Sequence, residues 1–75
     1  MSDTLYVEPA EMELFFFLNG TSGSFSSALF DAIFKADPEN RSKLKKGFPS
    51  EVQAVSRYVG EDGYWEDLIY RMKQL

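Results

Sequence analysis

Prolines and glycines divide this chain before any other feature does. Pro9, Pro38 and Pro49 each stand at the front of a segment with helical character, where a missing backbone N–H costs nothing and the fixed φ suits a first turn. Asn19-Gly20, Gly47 and Gly60 supply stops, because a residue that tolerates left-handed backbone ends a helix cheaply. A chain punctuated this way cannot hold a long helix. It is expected to fold as an all-α, compact bundle of about five short helices, in one domain spanning 1–75, with residues 1–7 as a free tail.

The first segment, Pro9–Leu18, carries the run "ELFFFL" and is apolar nearly all round, with only Glu11 and Glu13 polar. A helix of that kind is central, or it exposes part of its surface to a partner. A strand is the rival, since Phe is strand-prone and the run shows no helical period. The next segment, "SFSSALFDAIFKAD", places Phe25, Ala28, Leu29, Ala32, Ile33 and Ala36 on one broad stripe, and Thr21, Ser22 and Ser24 are candidate caps. Asp37-Pro38-Glu39 starts a third helix whose only large apolar residue is Leu44, so it belongs on the surface. In the fourth, Val52, Val55 and Val59 face one way. In the fifth, which Asp62 can cap, Tyr64, Trp65, Leu68, Ile69, Met72 and Leu75 form a stripe with Tyr70 on the polar side.

Composition removes whole classes of chemistry. With 75 residues, no Cys and no His, the chain has no disulfide and no thiolate or imidazole metal site, leaving only oxygen-coordinated ions. No cofactor is implied. Stability has to come from packing, for which 7 Phe, 4 Tyr and 1 Trp are ample. The net charge of −4 does not favour non-specific attraction to nucleic acid or to anionic membrane. The acidic N-terminus does not read as a targeting segment. Leu14–Leu18 falls far short of the roughly 20 apolar residues that span a bilayer, so no membrane partner is expected.

Three stretches invite a sharper reading. "GTSGS" (20–24) has neither the spacing nor the lysine of a phosphate loop, and it lacks the closing Gly and the nearby base of a nucleophile elbow. A Ser–Lys pair stays formally open but nothing marks it, and the amides opening helix 2 are only a generic anion site. "EDGYWED" (61–67) has four carboxylates without the alternating ligands of a calcium loop. Capping and dipole complementarity account for it better than paired-carboxylate catalysis does.

The basic cluster Arg41, Lys43, Lys45 and Lys46, with Arg57 as a further candidate, would face phosphates if helices 3 and 4 formed a helix-turn-helix. Against this, the cluster lacks interleaved aromatics, and its cations also favour the C-terminal end of their own helix.

The stretch "KADPENRSKLKKGFPSEVQAVSRYVGEDGYWEDL" (35–68) resembles a pattern in small uncharacterised proteins of bacteria, their phages and other mobile elements. The resemblance implies a bacterial or phage cytoplasmic setting and brings no activity with it.

The function expected from the residues is that of a small acidic protein-interaction module, an adaptor or inhibitor of a host protein without catalysis of its own. Phe15, Phe17 and Tyr70 are the candidate partner surface, as aromatics in excess of what a small core absorbs. The alternatives are nucleic-acid binding through the 41–46 cluster and a structural role in a homo-oligomer.

Overall fold

A computed structural model describes residues 6–75. Five helices follow one another: α1 (Pro9–Leu18), α2 (Ser24–Lys35), α3 (Pro38–Gly47), α4 (Pro49–Gly60) and α5 (Tyr64–Lys73). No strand occurs among the described residues, so the strand alternative for "ELFFFL" is excluded. Each proline occupies the first helical position of its helix.

The stop after α1 shows why Asn19-Gly20 works. Gly20 sits at φ +76°, and its N–H donates to the Phe17 carbonyl while that of Thr21 reaches back to Phe16. The Asn19 side-chain amide donates to Phe15 O at 3.0 Å. Carbonyls that a helix end leaves orphaned are thereby satisfied. The proposed serine and threonine caps of α2 are not used. Gly23 is its N-cap residue, Thr21 Oγ1 turns back to Phe16 O, and the Ser22 and Ser27 hydroxyls bond each other at 2.6 Å. Nor does Asp62 cap α5; Gly63, left-handed at φ +81°, occupies that position.

Asp37 does cap α3, accepting from the Asn40 N–H at 2.8 Å. Its replacement by Ala is expected to cost about 1 kcal/mol. The check is a lower urea midpoint with an unchanged slope.

The core is assembled from four helices. Leu14 of α1, Phe30 and Ile33 of α2, Val55 of α4 and Leu68 of α5 are fully buried, whereas α3 buries no residue completely, lies against α4 and sets Leu44 on the core. Central α1 touches α2, α4 and α5. The stripes read from spacing are therefore trimmed. On α2 the buried arc is Leu29, Phe30 and Ile33, leaving Phe25, Ala28 and Ala32 outside. Val59 is 64 % exposed although Tyr58 beside it packs on the core, and Leu75 is exposed beyond the end of α5. The free-tail expectation also gives way where it can be followed. Val7 is buried, and the Tyr6 carbonyl accepts from Arg71 at 2.8 Å; residues 1–5 lie outside the described part.

Candidate functional site

Two features stand out from the ordinary packing, one buried and one at the surface. The buried one begins with Glu11, at the third position of α1. Glu11 is only 3 % exposed, although the sequence marked it simply as one of two polar residues on an otherwise apolar segment. Oε1 accepts from the Glu8 N–H at 3.0 Å and from Arg71 Nη1 at 3.1 Å. Oε2 accepts from Arg71 Nη2 at 3.1 Å and from the Tyr64 hydroxyl at 2.6 Å.

All three nitrogens of the Arg71 guanidinium are engaged. Its Nε donates to Asp67 Oδ2 at 2.8 Å, and its Nη1 also reaches the Tyr6 carbonyl. Arg57, from α4, lies with Nη1 3.8 Å from Glu11 and its guanidinium 4.8 Å above the Tyr64 ring. The cluster thus ties the start of α1 to α4, α5 and the segment before α1.

Burial pushes the Glu11 carboxyl up. Donation from Arg71, Tyr64 and the Glu8 N–H outweighs it and holds the group at about 2, against an ordinary 4.5. Burial and the Glu11 carboxylate drive the Tyr64 hydroxyl well above its usual range. Hydrogen bonding to Glu11 raises Arg71 further. A carboxylate locked in its ionised form with all its near neighbours donating makes a poor general base. Two surface hollows, of about 300 Å³ (Tyr6, Glu8, Pro9, Ala10, Ser50, Glu51) and about 370 Å³ (Ala32, Lys35, Ala36, Asn40, Lys43, Leu44), are not lined by Glu11, Tyr64 or Arg71.

The surface feature is aromatic. Phe16 meets Phe15 edge-on at 5.9 Å between ring centroids, and Phe15 stacks on Trp65 of α5 at 5.6 Å. Trp65 meets Tyr58 of α4 at 5.6 Å, and Tyr58 meets Phe34 of α2 at 6.0 Å. Phe34 stacks on Phe17 at 5.9 Å, and Phe17 reaches fully buried Phe30 at 5.7 Å. Rings from four helices therefore form one continuous chain. Phe30 is its anchored inner end, Phe16 is 43 % exposed, and the five rings between are half-buried. Of the partner-surface candidates, Phe15 and Phe17 belong to this chain, packed against the core. Tyr70 is exposed but stands five positions beyond Trp65, about 140° around the helix, on another face. The outward ring of the run is Phe16, which the sequence reading passed over.

The basic candidates do not form one patch. Arg41 is half-buried and donates through Nη2 to the Ile33 carbonyl at 3.3 Å, closing the end of α2. Arg57 is drawn to Glu61 at 3.5 Å, to Glu11 and to Tyr64. Lys43, Lys45 and Lys46 remain exposed on α3, with Lys43 3.7 Å from Glu39. The carboxylates of 61–67 part company too, since Glu61 turns to Arg57 and Asp67 to Arg71.

No group of three or more potential metal-binding side chains occurs among the described residues, and no helix there is long and apolar enough to cross a membrane. No protein-family model, curated protein or solved structure matches this chain.

Proposed function

We propose that this protein is a protein-interaction module, an adaptor or inhibitor that works by docking its aromatic face onto another polypeptide and performs no chemistry itself. One observation carries the reading: the unbroken contact chain from Phe16 through Phe15, Trp65, Tyr58 and Phe34 to Phe17, with six rings retaining solvent exposure. Trp and Tyr are the residues that most often dominate binding energy at interfaces, and a pre-packed ring loses little side-chain entropy when it docks. The rings lie on helices held by a rigid core, which suits preorganised recognition. A cytoplasmic setting in a bacterial or phage host, which the pattern read in residues 35–68 implies, belongs to the same proposal.

The test is a tagged pull-down from that host with wild type and Phe16→Ser in parallel, with light scattering on both. Phe16 is the outermost ring, so its loss is expected to leave the fold standing while weakening partner capture about 30-fold, the effect of a typical hot spot. A partner retained equally by the variant, or no partner with a monomeric mass, would overturn the reading. Nucleic acid released by salt would point instead to Lys43, Lys45 and Lys46. A mass above the monomer that falls on substituting Phe16 would mean that the partner is a second copy of the chain.

A further inference from the structure

We propose that the segment docking on the aromatic face is cationic as well as apolar: a stretch of polypeptide in which Lys or Arg flanks large aliphatic or aromatic side chains, as on an amphipathic helix. It rests on that face being a docking surface, and it adds the chemistry of the occupant.

Carboxylates neighbour the rings along the sequence. Glu13 lies three and four residues before Phe16 and Phe17 on α1, so it sits one turn below them on adjoining helix surface. Asp62 is in the turn that joins α4, which carries Tyr58, to α5, which carries Trp65, and the two rings touch across that turn. Glu66 follows Trp65 directly and is exposed. None of the three has a cation within 4 Å among the described residues.

The cations near the rings are already engaged. Arg57 is shared between Glu61, Glu11 and the Tyr64 ring, and Lys35, beside Phe34, is 3.0 Å from Asp31. The same asymmetry runs through the chain. Residues 31–47 hold five Lys and Arg against three Asp and Glu, while the remainder holds three against nine. The aromatic face belongs to the acidic remainder, apart from Phe34. Its field attracts cations and repels an acidic peptide, a nucleic acid or an anionic membrane. Polar groups at an interface rim set partner choice and association rate, while the aromatic centre supplies most of the affinity.

Trp65, the only tryptophan, lies within the ring chain and reports binding through its own fluorescence. The wild-type protein is titrated with three synthetic peptides: a Leu/Lys amphipathic helix, its Leu/Glu counterpart, and an Ala/Lys helix of the same charge. The Leu/Lys peptide is expected to shift Trp65 emission saturably, and the other two to bind far more weakly. Neutralising the rim (Glu13→Gln, Asp62→Asn, Glu66→Gln together) is expected to weaken Leu/Lys binding about ten-fold and to remove most of its salt dependence. Neutralising Glu39→Gln, which pairs with Lys43, and Glu51→Gln, which lines the hollow beside Pro9, serves as the control and is expected to change it little.

Equal binding of the Leu/Glu peptide, or indifference to the rim substitutions, overturns the cationic partner but leaves the docking surface standing if Phe16→Ser still weakens binding. Equal binding of the Ala/Lys peptide overturns the amphipathic occupant. No response of Trp65 to any peptide overturns both.

Discussion

Replacing Arg71 by Met is expected to destabilise the protein by about 3–5 kcal/mol, because Glu11 is then left as a buried carboxylate without its bidentate partner. For a 75-residue domain, whose total stability is on the order of 4–11 kcal/mol, that is a large share of the whole. The loss reflects desolvation more than the strength of the bond. Two charges taken out of water are tolerable together and costly singly. The double variant Glu11→Leu/Arg71→Met, which removes both charges, is therefore expected to recover most of the loss, even though it deletes more hydrogen bonds. Urea midpoints of wild type, both single variants and the double variant form a cycle that measures the coupling. Additive effects would mean that the two side chains do not act as one unit.

Acid is expected to act on the same unit. The Glu11 carboxyl titrates at about 2 in the folded protein and near 4.5 when unfolded. Its folded pKa is depressed, so its contribution is complete above about 4.5 and disappears as pH falls toward about 2. A difference of that size corresponds to roughly 3 kcal/mol. The measurement is thermal or urea unfolding between pH 7 and pH 2 for wild type and Glu11→Gln. The variant is less stable at neutral pH because the buried arginine loses its counter-charge. The gap should close across that acid window, since the wild-type carboxyl becomes neutral as well. A gap that stays constant with pH would show that Glu11 is not ionised in the folded protein.

These two results would place most of the molecule's polar specificity at the junction of α1, α4 and α5, in side chains other than those of the ring chain. The division has a functional consequence. Tyr64 carries the buried tie and the next residue, Trp65, stands in the ring chain, so α5 is held by one and presents the other. Substitutions at Phe16 or at the rim carboxylates can therefore test docking without disturbing the junction.

Much of the local structure was legible from residue types alone. Pro9, Pro38 and Pro49 mark helix starts because proline's missing donor is harmless only there, and Asn19-Gly20 marks a stop because Gly20 accepts a positive φ. The surface position of α3 follows from its having a single large apolar side chain. Less was legible about the sites. Glu11 lies one turn before buried Leu14, and Arg71 lies one turn after buried Leu68. Two lone charges of opposite sign on buried faces were a signal that they meet. Nothing local says so, since 60 residues separate them.

What the chain determined by itself was where helices begin and end, because caps, prolines and glycines act within a few residues. What only the tertiary structure decided was how each helix is rotated about its axis: Phe16 outward with Phe15 and Phe17 packed in, Val59 left in water, Glu11 turned to Arg71. Spacing sets the angle between two side chains on one helix. Which of them faces inward depends on where the neighbouring helices come to rest, and those neighbours are set by contacts between residues far apart in the chain.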